Sequence, residues 1–283
     1  MRVLVTGARG LLGAAIAREF GPVAEVHPLD HRQLDVSDEG AVTAAVRAVG
    51  PDVIINCAAY NDVDGAEQEP AEALRVNTFG VSTLACAARQ HGATLVHYST
   101  DFVFDGETTR PYTEEDRPNP RGLYAASKLL GDWFAADAPR AYILRVESLF
   151  GHPGPGRGRR GSLGTIVDRI RAGEEVPVFV DRTVSPGYTA DIAWATRAAL
   201  ERGIPPGLYH CVNSGGASWA RIADEAARLI GRPLRMRPLT LESAALAAPR
   251  PRYCALSTAR LAAAGIVMPP WEDALERYLR AEG

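Results

Sequence analysis

Hydrophobic and polar positions follow two alternating periods along the first half of the chain. Val3-Leu4-Val5, Val53-Ile54-Ile55-Asn56, Thr94-Leu95-Val96-His97-Tyr98 and Tyr142-Ile143-Leu144-Arg145-Val146 are short, β-branched and apolar, as strands buried on both faces are. Between them lie stretches of helical spacing: from Leu11, from Asp38 to Val49 with Ser37 as N-cap, within Pro70 to Gln90, and from Tyr124. Ala24 to Leu29 reads as a weaker strand, because Pro28 lacks the N–H that a ladder uses. Repetition at this spacing builds a parallel sheet with helices on both faces. Right-handed crossovers then leave the doubly wound α/β (Rossmann) topology as the economical solution.

The texture changes after Gly151. His152 to Gly164 is rich in glycine, proline and arginine and reads as a mobile loop. Helices are expected near Ser162–Ala172, from Asp191, at Ser218–Ile230 and at Trp271–Leu279. Strands are expected at Val176–Val180 and Leu208–Val212, with irregular or helical chain from Pro238 to Pro251. The expected division is a sheet domain over residues 1–150 and a smaller C-terminal lobe over 151–283, with part of 182–212 returning to the sheet.

At 283 residues and 46% hydrophobic content, the chain suits one large domain or a core domain with a lobe. A net charge of −3 supplies no basic field for nucleic acid. No apolar stretch is long enough to span a bilayer, and Met1-Arg2-Val3 runs straight into a strand, leaving no room for a signal peptide. Cys57, Cys86, Cys211 and Cys254 are scattered, without metal-ligand spacing, and read as reduced thiols of a cytoplasmic protein. No metal is assigned.

The chemistry concentrates at two places. Thr6-Gly7-Ala8-Arg9-Gly10-Leu11-Leu12-Gly13 follows a strand and opens a helix, the context in which a glycine turn cradles a dinucleotide pyrophosphate. Gly7 allows the tight turn, Gly10 the approach of the backbone to phosphate, and Gly13 close packing of helix on sheet. Asp30 stands at about the distance at which a carboxylate binds the adenosine ribose, which favours NAD(H); its competing reading is an ordinary turn carboxylate. Arg9 and Arg32 are placed for a 2′-phosphate, which favours NADP(H). The coenzyme is therefore NAD(H) or NADP(H). Asp35 and Val36 are expected beside the adenine; their competing reading is the first turn of the next helix.

The second place is Tyr124-Ala125-Ala126-Ser127-Lys128, a phenol and an ammonium one helical turn apart on one face. A phenol at its ordinary pKa of ~10 is a poor acid–base group at neutral pH, and a nearby lysine charge would draw it down. Thr100, at the end of an apolar run, can hydrogen-bond a substrate oxygen while Tyr124 delivers or removes its proton. The joint pattern points to nicotinamide-dependent carbonyl or alcohol chemistry. His97, Tyr98 and His210 read as core or edge residues, and Trp194, Trp219 and Trp271 as packing anchors. Asp101 and Asp105 either act near the substrate or shape the turn after the strand. Arg157, Arg159 and Arg160 either clamp a diphosphate or lie solvated.

These residues resemble the extended short-chain dehydrogenases/reductases, and within them the dTDP-4-dehydrorhamnose reductase family, nearly end to end. The resemblance is carried by Pro51 to Tyr60, Val63 to Glu67, Val76-Asn77, Ser99 to Gly106, Val184 to Ala193 and Pro249 to Leu279. It implies a Thr100–Tyr124–Lys128 triad, with Lys128 also holding the nicotinamide ribose. Ala58, Ala59 and Tyr60 are implied beneath the cofactor, and Asn77 as support for the site. The implied reaction reduces the C4 keto group of a dTDP-4-keto-6-deoxy-L-sugar, dTDP-4-dehydrorhamnose to dTDP-L-rhamnose, with the 151–283 lobe binding the nucleotide sugar. A homodimer is compatible with it. Ser148 departs from the family, which often has tryptophan there beside the sugar. A reductase of another nucleotide 4-keto sugar, an epimerase-like relative and a non-catalytic nucleotide-binding regulatory subunit stay open.

Overall fold

The apolar runs of the first half become the strands of one sheet. The structure is a computed structural model describing residues 1–154 and 161–281. In chain order it forms β1 (Arg2–Thr6), α1 (Leu11–Phe20), β2 (Glu25–Leu29), α2 (Glu39–Val49), β3 (Val53–Asn56), α3 (Gly65–Gln68), α4 (Pro70–Leu74), a π-helical turn (Arg75–Phe79), α5 (Gly80–His91), β4 (Thr94–Thr100), α6 (Leu123–Ala136) and β5 (Ala141–Val146). The second half adds β6 (Leu149–Phe150), α7 (Gly161–Ala172), β7 (Val176–Phe179), β8 (Thr183–Val184), β9 (Gly187–Tyr188), α8 (Thr189–Arg202), β10 (Gly207–His210), β11 (Ala217–Ser218), α9 (Trp219–Ile230), β12 (Met236–Leu239), α10 (Ala259–Ala263) and α11 (Trp271–Arg280).

Six strands pair in the order β10-β5-β4-β3-β1-β2, all parallel. The order reverses between β1 and β3, which opens a crevice at their C-terminal ends. Alternate side chains serve opposite faces. Val3, Val5, Ile55, Val96 and Tyr98 pack with Ile16 of α1 and Ile192 of α8. Leu4, Ile54, Leu95 and Ile143 pack with Val42, Leu84 and Ala135 of α2, α5 and α6. Full burial of one such Ile or Leu is worth about 1.5–3 kcal/mol. This two-sided burial is why the runs show no polar alternation.

Pro28 is accommodated because β2 is the sheet edge, where a missing ladder donor is tolerated. The N-cap of α2 is Asp38, which accepts the Ala41 N–H at 2.9 Å; Ser37 instead bonds the Asp35 carboxylate. Within the expected irregular stretch after Pro238, the chain first completes β12, which pairs in parallel with β7. Short α3 was not legible in the pattern. A second core joins Leu163, Val167 and Ile170 of α7, Val176 of β7, Ile222 and Ala226 of α9, and Trp271 and Tyr278 of α11. The chain reaches that core after Gly151, but α8 and β10 pack with the central sheet.

Candidate active site

The crevice at the β1/β3 switch point is built by the glycine turn. Gly7 has φ +61, and a Cβ there would stand 2.7 Å from the backbone of Cys57 and Ala58. A Cβ on Gly13 would meet the Gly7 carbonyl oxygen at 2.4 Å, so α1 lies as close to the turn as a hydrogen side chain allows. Among the described residues no side chain caps α1 at its N-cap Gly10, and its first turn holds no acidic residue. Its leading amides are thus left for an outside anion, favoured there by the helix dipole.

Two adjoining cavities extend from this turn and share Arg9, Gly10, Cys57, Ala58 and Ala59 in their walls. The first, about 400 Å³, adds Gly7, Asp30, Asp35, Val36 and Tyr60. Asp30 is buried and accepts the Arg32 and Gln33 amides at 2.9 and 3.2 Å; its other oxygen meets Arg9 Nη1 at 3.3 Å. Burial works against the charge, but the Arg32 amide and Arg9 hold its carboxyl below the usual range. The two residues expected to argue for different coenzymes are therefore partners. The Arg32 side chain is exposed and outside the wall. Sequence reasoning missed His31 and Arg75 here. Arg75 bonds Asp35 at 2.7 Å and both oxygens of Glu72, closing the far end with a salt-bridged triad that only tertiary approach creates.

The second cavity, about 460 Å³, is walled by Leu11, Leu12, Thr100, Phe102, Tyr124, Glu147 and Ser148, among others. Thr100 ends β4, where its hydroxyl donates to Asp101 Oδ1 at 3.1 Å and accepts the Phe102 N–H at 3.2 Å. Tyr124 comes from the first turn of α6, and its ring meets Phe102 edge-on. Ser148, in the place the family resemblance gives to tryptophan, has φ +44, a strained conformation facing the cavity.

Lys128 is buried and outside this wall; its Nζ donates to the Tyr98 carbonyl at 2.6 Å. Burial lowers it to about 8, with Asp132 opposing. The phenol is not drawn down as expected. Burial, then the Asp101 carboxylate, push Tyr124 well above its ordinary value, while the neighbouring Thr100 hydroxyl pulls the other way. The resting phenol therefore holds its proton across neutral pH.

Behind the site lies a polar layer that the sequence did not disclose. Asp132, one turn beyond Lys128, accepts the Ser99 hydroxyl at 2.8 Å, with Arg145 Nη2 at 3.5 Å and His97 Nε2 at 3.6 Å. Asn77, on the π-helical turn, accepts the Tyr60 N–H at 2.9 Å and donates to Ser127 Oγ at 3.0 Å. It thereby ties the Tyr60 loop to α6 and supports the site from outside both cavities. The larger cleft of about 730 Å³ lies around Arg2, Gly50 and Gly203, at the N-terminal end of the sheet, away from these groups. Arg157, Arg159 and Arg160 fall outside the described residues. Among the described residues, Asp101, Glu147 and Cys254 are the one group of three or more that brings metal-ligating atoms together, within 4.8 Å.

A doubly wound sheet that opens such a crevice at its switch point takes a dinucleotide there, and the chain is an oxidoreductase of the Rossmann type. It matches over residues 1–282 the family described as RmlD substrate binding domain, and it belongs to that family. It is 39% identical over 288 residues to the dTDP-4-dehydrorhamnose reductase of Streptomyces griseus, covering 97% of this chain and 91% of that protein. The probable dTDP-4,6-dihydroxy-2-methyloxan-3-one 4-ketoreductase of Streptomyces antibioticus is 36% identical, over 97% of this chain and 93% of its own. Among solved structures, dTDP-4-dehydrorhamnose reductase from Bacillus anthracis, in complex with NADP, superposes with a TM-score of 0.93 at 32% identity, over 99% of both chains.

Proposed function

We propose that the protein reduces the C4 keto group of a dTDP-4-keto-6-deoxy-L-sugar with NADPH or NADH, converting dTDP-4-dehydrorhamnose to dTDP-L-rhamnose. The observation that carries this reading is the shared wall: Thr100 and Tyr124 line a cavity that continues into the glycine-turn crevice. Bound there, the reduced coenzyme supplies hydride to the carbonyl carbon. Thr100 orients the carbonyl oxygen, and Tyr124, protonated at rest, delivers the proton. Lys128 holds the nicotinamide ribose; Gly10, Leu11 and Leu12 hold the pyrophosphate. Residues 1–150 serve mainly the coenzyme and 151–283 the nucleotide sugar. The four cysteines are free, which suits the cytoplasm. Reduction of a different nucleotide 4-keto sugar is the second reading. It is favoured by Ser148 and by the relative whose name gives another 4-keto substrate.

The test is a spectrophotometric assay with both coenzymes. NADPH or NADH should be oxidised only when dTDP-4-dehydrorhamnose is present, and product stereochemistry by NMR should match the L-sugar. Oxidation with no 4-keto sugar nucleotide tried would remove the reading. In the same assay, Arg9→Ala should raise KM for NADPH about tenfold or more and leave KM for NADH within a few-fold. Arg9 neutralises Asp30, so its loss leaves a bare carboxylate facing the 2′-phosphate. Equal effects on both coenzymes would remove Arg9 from discrimination.

Lys128 supplies a pH signature. Its charge disappears as pH rises through about 8, so coenzyme affinity should decline there. A fluorescence titration of NADPH against pH reads this directly, and Lys128→Met should bind weakly with a flat profile. Stability changes in the opposite sense. Lys128 is depressed from 10.5 to about 8, so between those values the unfolded chain binds a proton that the fold has lost, and this group's contribution to stability rises with pH.

A further inference from the structure

Asp101 and Glu147 meet in the wall of the cavity that Thr100 and Tyr124 also line. Both are 2% exposed, and Asp101 Oδ2 and Glu147 Oε1 are buried without a hydrogen-bond partner among the described residues. A carboxylate oxygen from each lies within 4.8 Å of the other and of Cys254 Sγ. The other Glu147 oxygen accepts the Ser185 N–H at 2.7 Å. Arg182 Nη2 stands 3.7 Å from Asp101 Oδ2 and 3.6 Å from Cys254 Sγ. The Arg182 guanidinium thus already brings a cation against two of the three groups.

One guanidinium cannot balance two carboxylates in a dry setting, whereas one added proton does. It also supplies a donor within a pair of carboxyl groups that each have an oxygen without a hydrogen-bond partner among the described residues. Asp101 is in turn bonded by the Thr100 hydroxyl, which neighbours the Tyr124 phenol. Resting on the reductase reading above, we propose that Asp101 and Glu147 hold one proton between them and return it through Thr100 to Tyr124 after each reduction. Burial raises both carboxyls, Glu147 well above the carboxylate range with Asp101 adding to the effect. The other titratable groups facing the pair are Cys254 and Tyr253, both raised and so protonated, together with Arg182 and Tyr124.

The step balances. The carbonyl carbon gains hydride, its C–O π bond breaks, and the oxygen takes the Tyr124 proton. The Thr100 hydroxyl gives its proton to the phenolate and receives one from Asp101, which draws on Glu147. Both carboxylates are then ionised beside Arg182 until solvent water restores the proton.

The test uses Glu147→Gln and Asp101→Asn in the full chain. Infrared spectra at neutral pH, without substrate, should show a carboxylic-acid carbonyl band that shifts in D2O and is lost in Glu147→Gln. With dTDP-4-dehydrorhamnose, kcat should fall about tenfold, less than for loss of a direct donor. NADPH binding and the single-turnover hydride rate should stay near wild type, added small carboxylic acids should restore kcat, and Glu147→Asp should recover most of the loss. A persisting band, an unchanged kcat–pH profile, or a hydride rate that falls in step with kcat would each overturn the proposal. If Glu147→Gln does not fold, Asp101→Asn is read against the same band and kcat. A wild-type protein inactive on that substrate would mark failure of the reductase reading, whereas an active wild type with an unaffected variant marks failure of the relay.

Discussion

Tyr124→Phe is expected to lower turnover by about two to four orders of magnitude, the range for removing a positioned proton donor. The variant keeps the ring that meets Phe102 edge-on, so the packing of α6 stays in place and only the hydroxyl is lost. Coenzyme affinity should stay within a few-fold, because the glycine turn and Lys128 are untouched. Since burial and the Asp101 carboxylate keep the resting phenol protonated, the wild-type reductive rate should not depend on titration of this group near neutral pH. Rates by coenzyme absorbance, with affinity by fluorescence, check both halves. Turnover within a few-fold of wild type would remove Tyr124 from the chemistry.

Gly13→Ala carries the second large effect, and it acts on structure and binding together. The new methyl group would lie 2.4 Å from the Gly7 carbonyl oxygen and 2.8 Å from the Ala8 Cα, both backbone atoms that no rotamer change can move aside. Helix α1 has to retreat from the turn, at a cost of about 1–3 kcal/mol for such overpacking. For a chain of this size, that lowers Tm by roughly 2–4 °C per kcal/mol. The retreat also displaces the amides proposed above to hold the pyrophosphate, so coenzyme affinity should fall at least about tenfold. Gly40→Ala is the control: its methyl meets only Asp38 Oδ1 at 3.4 Å, and stability should hold or rise. A Gly13→Ala protein with wild-type Tm and affinity would contradict the close approach described here.

Much of this architecture was legible in the chain, for a physical reason. Runs such as Val53–Asn56 and Ala141–Val146 are buried on both faces, so their composition alone marks interior parallel strands. The glycine turn was readable because Gly7 answers to its own left-handed φ and Gly13 to the turn a few residues before it. Choices between neighbours were harder. Ser37 and Asp38 can both cap a helix, and Asp38 does so while Ser37 bonds Asp35. Contacts between distant segments left no local trace. Arg9 reaches Asp30, Arg75 reaches Asp35, and Asp132 gathers Ser99, Arg145 and His97 only after the sheet has assembled. The direction of the Tyr124 shift was missed for the same reason: spacing along α6 shows the lysine, but not the enclosing walls or Asp101.

The pairing of β10 with β5 has a consequence for biosynthesis. Ala141–Val146 leaves the ribosome long before Gly207–His210, its lateral neighbour, has been made. Until then the nascent polypeptide presents a raw apolar border of the kind that recruits other chains. Cutting the gene after the fifth strand would make that exposure permanent.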